Sequence, residues 1–181
     1  MQRIPSLSSA QGRSGELLAT VEKTFGLVPN ATKLMANSPA VLDSFLAFGN
    51  AMSAAKIGGK LHTQIKLAAS EANACTYCTS ILSAIAPGAG LTAEEILEAR
   101  SATATDRRTD AALKFAAAVL EHRGKVNDDD LRLVRAAGFG DAEILEIVAS
   151  VVAGCFTNFL NNVARTTLDF PEASPLAGPT A

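Results

Sequence analysis

The chain has 181 residues, 48% of them hydrophobic and 19% charged, with a formal net charge of −2 and a pI near 5.7. That length fits one domain with a core of ordinary size, not two. A weakly acidic chain gains nothing from long-range attraction to nucleic acid or to an anionic lipid surface, so neither is an expected partner.

Aromatic residues make up only 5% and Trp is absent, so the apolar content rests on Ala, Leu, Val and Ile. Such a mix suits helices packed closely through small residues. A mean hydropathy of +0.21 leaves apolar surface beyond one small core, which predicts subunit association. Met1 to Gly15 has no apolar run to serve as a signal-peptide core, and Ile144 to Gly154, interrupted by Glu146 and Ser150, reads as too short to span a bilayer. The expected location is cytoplasmic and reducing. Three cysteines, an odd number, then argue against a structural disulfide framework.

Apolar residues recur at spacings of three and four, without period-2 alternation, and the prediction is all-α. Residues 1–14 are expected to be flexible. A first helix is predicted over Gly15–Phe25, with Leu17, Leu18, Val21 and Phe25 on one face and Gly26 as its stop. Pro29 opens a short helix to about Asn37, and Pro39 sits in the first turn of a third, to Ala55. After Gly58-Gly59, a helix from Lys60 to about Asn73 delivers the chain to Cys75, and another runs from Tyr77 to Ile85, before Pro87-Gly88. Thr92 and Glu95 have capping-box spacing and predict a helix from Ala93 to about Ala99. Thr109–Arg123 and Asp130–Ala136 follow, the latter behind Asn127 and a run of acidic residues that suits a helix N-terminus. Asp141 caps the longest helix, Ala142 to about Leu168. The picture is a single-domain bundle of seven to nine helices over residues 15–170, with a flexible Pro/Gly/Ser/Ala tail over 171–181.

The chemistry concentrates in Ser70 to Ala84, SEANACTYCTSILSA. Cys75 and Cys78 stand three apart at the start of a helix, on one face, where their sulfurs can close a disulfide with little backbone movement. First-turn amides favour a thiolate there. A thiolate attacks peroxides and disulfides, and a neighbouring thiol resolves the product. Zinc would need two further ligands, and Cys155, His62 and His122 form no second closely spaced pair, so no metal is expected. Two small buried thiols filling a helix junction is the remaining reading.

The string Ser70 to Cys78 resembles the core of the alkylhydroperoxidase D-like, peroxidase-related branch of the carboxymuconolactone decarboxylase family. The resemblance extends through Gly90 to Ile96, Ala137-Gly138-Phe139 with Asp141 to Ile144, Thr157 to Ala164, and Leu168 to Pro171. It implies an all-helical fold, homo-oligomers (dimer, trimer or hexamer), and peroxide reduction by a dithiol cycling through a disulfide, with no cofactor. It also implies a His one turn beyond the second cysteine and a Glu on the preceding helix, which relay a proton to the thiol. Here those positions hold Leu82 and, at about the Glu position, Thr63; Asn162 stands where a His is common in the closing helix.

Leu82 takes no proton, so base activation would need a substitute such as Glu71, four residues before Cys75, or His62. Glu71 reads equally well as a solvated or intersubunit carboxylate, and His62 as a residue of a polar helix face. Tyr77, the only Tyr, is a candidate donor to a reacting oxygen, with packing beside the thiols as its ordinary role. Cys78 resembles the attacking thiol and Cys75 the exchange partner. Cys155 reads as a buried thiol, and Asn158, Asn161 and Asn162 as pocket-lining or helix-bridging amides. The expected function is a thiol-dependent peroxidase or disulfide reductase, taking a hydroperoxide or disulfide substrate and a dithiol reductant. The alternatives are a non-peroxidatic oligomeric binding protein and a lactone-decarboxylating lyase.

Overall fold

Local signals set most helix ends. The Thr92 hydroxyl accepts from the Glu95 N–H at 3.2 Å, and the Glu95 carboxylate accepts from the Thr92 N–H at 2.9 Å, which satisfies two orphan amides at once. Asn127 and Asp130 do the same at 2.9 and 3.2 Å. The computed structural model describes residues 1–176 and is built from α1 (Gly12–Phe25), α2 (Asn30–Met35), α3 (Pro39–Met52), α4 (Gly58–Ala72), α5 (Thr76–Ile85), α6 (Ala93–Arg100), α7 (Arg107–Glu121), α8 (Asp128–Ala136) and α9 (Asp141–Ala164). A 3-10 turn, Ala86–Ala89, links α5 to α6. No strand occurs among the described residues, as the periodicity predicts.

α4 is the axis of the bundle, packed against α5, α6, α7 and α9. Ile65, Leu67, Leu113 and Ile147 are fully buried in the main core around it. A second cluster, Leu17, Val21, Met35 and Leu42, joins α1, α2 and α3 to Leu160 of α9. Each fully buried Leu or Ile contributes about 1.5–3 kcal/mol relative to exposure, so packing rather than helix propensity holds the short helices in place. In the seam between the clusters lie Ala31, Cys75, Tyr77 and Cys78.

The closing helix departs from expectation in two ways. At 24 residues, with an 18-residue window of mean hydropathy 1.6, α9 is long and apolar enough to cross a bilayer by length and composition alone, where Ile144 to Gly154 read as too short. Its inner face, including Ile147, Val151, Gly154 and Asn158, is buried against the bundle, whereas Leu145, Val152, Phe159 and Val163 form an exposed stripe. It also ends at Ala164 rather than Leu168. Arg165 turns left-handed (φ 52°), the Thr166 N–H returns to the Asn161 carbonyl at 3.1 Å, and the chain is redirected toward α5.

Parts of both terminal segments hydrogen-bond to the bundle. The Arg3 N–H donates to the Ala164 carbonyl at 2.6 Å and the Leu7 N–H to the Lys33 carbonyl at 3.1 Å. At the other end the Ala173 N–H donates to the Ser80 hydroxyl at 3.0 Å, and Arg100 Nη2 to the Ser174 carbonyl at 2.8 Å. Polar groups offered by the bundle satisfy these backbones, a tertiary effect that local composition does not encode. Residues 177–181 of the expected tail lie outside the described residues.

Candidate active site

The thiols sit at the joint between α4 and α5. The Cys75 N–H bonds to the Ser70 carbonyl and the Ala74 N–H to the Glu71 carbonyl, both at 2.9 Å, with Ala74 left-handed at φ 49°. This is the pair of hydrogen bonds that closes a helix C-terminus, with alanine where glycine is usual, at a cost of about 1–2 kcal/mol. The joint makes Cys75 the N-cap of α5: its Sγ accepts from the Cys78 N–H at 3.3 Å. Both cysteines are buried, Cys75 1% and Cys78 2% exposed.

The two thiols differ in their surroundings. The Cys75 S–H donates to Cys78, and amide or hydroxyl groups of Asn158, Asn161 and Thr157 add to it; against the opposing effect of burial they bring the Cys78 thiol down to about 7. Asn161 Nδ2 lies 3.3 Å from Cys78 Sγ and is fixed by the Thr157 carbonyl at 2.9 Å, while its Oδ1 accepts from the Thr166 hydroxyl at 2.7 Å. Cys75 is pushed up, first because its proton is committed to Cys78 and then because it is buried. The arrangement places the thiolate on Cys78 and a proton on Cys75.

Of the other residues singled out, Glu71 lies beside Cys75 in a small polar pocket of about 260 Å³, under Glu172 and Pro175. Its carboxylate accepts from Nε of the buried Arg100 at 2.9 Å and is held as an ion pair. Tyr77 packs next to both thiols, but its hydroxyl donates to Asp169 Oδ1 at 2.8 Å and accepts from the Ala31 N–H at 3.0 Å. Burial, with the Asp169 bond, holds its proton on. His62 lines neither thiol pocket. The Ser150 hydroxyl donates to the Glu146 carbonyl at 2.8 Å, so it accepts from His62 Nδ1–H at 2.7 Å. Burial, and then the charge of Lys66, lower His62 to about 4 and leave it neutral. Thr63 spends its hydroxyl on the Gly59 carbonyl at 2.8 Å, and Asn162 caps the Asn73 carbonyl at 2.9 Å. Cys155 is half-buried, 3.6 Å from Asn73 Nδ2. Among the described residues no three of His, Cys, Asp or Glu gather as a metal-binding set.

Cys78 opens onto a cavity of about 690 Å³ between the α1–α3 layer and α4, α5 and α9. Phe25, Leu27, Met35, Phe45, Ile81 and Phe170 give it apolar walls, and Leu82 is one more wall residue. The polar groups around Cys78 there include Asn161, Thr157 and Lys66. Lys66 carries no motif signal and was not among the residues singled out; nor was Asp169, whose value lies only in reaching Tyr77. A separate cavity of about 580 Å³, between α4, α6 and the start of α7, contains no thiol.

Residues 39–122 match the model of the carboxymuconolactone decarboxylase family. An alkylhydroperoxidase AhpD core protein from Ralstonia eutropha JMP134, an uncharacterized peroxidase-related protein, superposes with a TM-score of 0.80 at 23% identity over 93% of this chain and 94% of that one. A peroxidase-related protein from Silicibacter sp. TM1040 gives 0.78 at 19% identity, covering 91% of each chain. The debrominase Bmp8, as a cysteine-to-alanine variant in complex with 2,3,4-tribromopyrrole, gives 0.77 at 21% identity over 92% of this chain and 90% of that one. No curated protein matches the chain. Residues 39–122, α3 to α7, thus carry the carboxymuconolactone decarboxylase family match, set within a helical fold of alkylhydroperoxidase D-like architecture shared along nearly the whole length.

Proposed function

We propose that the chain is a dithiol oxidoreductase that reduces hydroperoxides. The observation that carries this reading is the asymmetry of the pair: a stabilised thiolate at Cys78, facing a cavity, with a protonated Cys75 hydrogen-bonded behind it. Cys78 attacks the terminal oxygen of ROOH, breaking the O–O bond and releasing RO⁻, which takes a proton to become ROH. Cys75 then attacks the sulfenic acid and expels water, leaving a disulfide for an external dithiol to reduce. Cys75 borders the second, polar pocket, which suits the approach of that reductant in a reducing compartment.

The test is stoichiometric titration of the reduced protein with cumene hydroperoxide and hydrogen peroxide. Two of the three thiols should vanish together at one equivalent, the apolar hydroperoxide reacting faster because the walls are apolar. Thiols that react no faster than free cysteine would leave a binding protein that has lost the chemistry.

The cavity also favours a second reading. A compact apolar ring of the kind bound by the debrominase neighbour fits its dimensions, and the same pair balances a reductive dehalogenation: Ar–Br, one thiolate and one thiol give Ar–H, bromide and a disulfide. Bromide release from 2,3,4-tribromopyrrole, without peroxide turnover, would favour it over the first.

Homo-oligomer formation is part of the proposal. Leu145, Val152, Phe159 and Val163 repeat at intervals of seven or four on the outer stripe of α9 and are 54–69% exposed, a pattern that suits a helix–helix seam. Light scattering should give a multiple of 18.7 kDa that falls toward one chain in the V152E/F159E double variant. A wild-type mass of one chain would remove this part of the reading.

A further inference from the structure

The pair needs a proton source, and none of the residues expected to supply one is in place. Glu71 is tied to Arg100, His62 is neutral and turned to Ser150, Tyr77 is committed to Asp169, and Leu82 is a wall. One further ionisable side chain enters the Cys78 cavity, that of Lys66 from α4. Its position follows from the close contact of α4 with α9 at Gly154. A Cβ built on Gly154 of α9 would stand 3.7 Å from Lys66 Cα and 3.9 Å from Cγ, so the backbone of α9 at this glycine runs against the lysine stem.

From this arrangement we infer that Lys66 is the proton donor of the dithiol centre: its ammonium pairs with the Cys78 thiolate in the reduced protein and protonates the oxygen that leaves when Cys78 is oxidised.

The electrostatics agree with the geometry. Burial disfavours the Lys66 ammonium, and the one charge that favours it is the Cys78 thiolate. Other groups around the cavity leave that pair undisturbed. His62, one turn back on α4, is uncharged at neutral pH. α5 adds Tyr77, which keeps its proton; α9 adds the uncharged Thr157 and Asn161; and α1, α2 and α3 present Phe25, Met35 and Phe45. Removing the thiolate therefore removes the reason for the lysine to stay charged.

The proton balance closes without any other group. At the start Cys78 is S⁻ and Lys66 is NH₃⁺. Attack on ROOH forms the S–O bond and breaks O–O; RO⁻ takes the lysine proton, leaving ROH, Cys78–SOH and Lys66–NH₂. The Cys75 thiol then forms the S–S bond, its proton leaving with the hydroxyl as water, and the neutral amine remains in a buried site where neutrality is favoured. Reduction by an external dithiol, which supplies two electrons and two protons, restores the thiolate–ammonium pair and the Cys75 thiol. The inference deepens the peroxidase reading and rests on it for the oxygen-protonating step.

Two variants and two readouts separate the parts. The midpoint of Cys78 alkylation by iodoacetamide against pH, followed by peptide mass mapping, reads the thiolate without any peroxide. Lys66→Met should raise it by about one unit, a tenfold loss of thiolate below the midpoint, whereas Lys66→Arg, which keeps the charge, should leave it near wild type. Single-turnover disulfide formation with cumene hydroperoxide should fall about 100-fold in both, because arginine holds its proton too tightly to give it up. An unshifted midpoint in Lys66→Met overturns the pairing, and a Lys66→Arg protein as fast as wild type overturns the proton transfer. A wild-type protein inert to hydroperoxide ends the peroxidase reading, and the alkylation midpoint then decides the lysine pairing separately.

Discussion

Cys78→Ser is expected to abolish peroxide-driven disulfide formation, while Cys75→Ser halts the reaction one step later. The hydroxyl of serine does not ionise near neutrality, so no nucleophile remains beside Asn161, and the single-turnover rate should fall by at least about 10³-fold. In Cys75→Ser the donor at Asn161 and the cavity are intact, and the serine hydroxyl still donates to Cys78, so attack survives. The product should then be a Cys78 sulfenic acid, trapped by dimedone and read by peptide mass mapping. The reverse pattern, with the sulfenic acid on Cys75, would exchange the roles of the two thiols. The pH dependence follows from the same asymmetry. The reacting form is the thiolate and Cys78 titrates at about 7, so the wild-type rate should fall tenfold per unit as the pH drops below that value, and fall again at alkaline pH where Lys66, lowered by burial, loses the proton it donates.

The largest stability effect is expected not at the thiols but at Gly154. Alanine there would bring its Cβ to 2.8 Å from Ala69 Cβ, well inside van der Waals contact, and neither atom lies at the end of a flexible chain. Valine adds two more carbons against the same wall. Overpacking of this kind costs about 1–3 kcal/mol in ordinary cores, and a contact between two Cβ atoms fixed to helix backbones belongs at the top of that range. Gly154→Val should therefore lose about 3 kcal/mol, a shift of about 1.5 M in the urea midpoint for an m-value near 2 kcal/mol/M. Gly154→Ala is the milder control, because about 1 kcal/mol of helix propensity offsets the clash. A midpoint for Gly154→Val within 0.3 M of wild type, on the order of 0.6 kcal/mol, would mean that α4 and α9 separate freely and that the contact does not hold Lys66 in place.

The linkage between these two predictions lies in α4 and α9. α4 contributes Lys66, Ser70 and Glu71; α9 contributes Thr157, Asn158 and Asn161; α5 carries the cysteines between them. Asn158 illustrates the construction: it is fully buried, its amide donates to the Ser70 hydroxyl at 3.0 Å, and its carbonyl accepts from Asn73 Nδ2 at 3.0 Å. A buried amide satisfied on both sides fixes the distance between the helices as well as the polarity around the thiols.

Much of the protein is decided locally and was legible in its sequence. The periodicity of apolar residues specifies helices, Thr92/Glu95 and Asn127/Asp130 mark two starts, Gly26 and Gly138 mark stops, and the three-residue spacing of Cys75 and Cys78 brings the thiols to one helix end. These are interactions over one or two turns, so adjacent residues suffice to encode them. What the tertiary structure alone decided is which ionisable groups meet the thiols. Glu71 is near Cys75 in sequence and in space, yet Arg100, on α6, claims its carboxylate; His62 faces Ser150, 88 residues away; and Tyr77 meets Asp169 only because Arg165 ends α9 early. Lys66 has no distinguishing neighbours in the chain, and it enters the Cys78 cavity because a glycine 88 positions later lets α9 lie against its stem. Proton affinity depends on burial and on charges within a few ångströms, quantities set by packing between distant segments, and so the thiol pair could be read from the sequence while the ionisable groups packed around it could not.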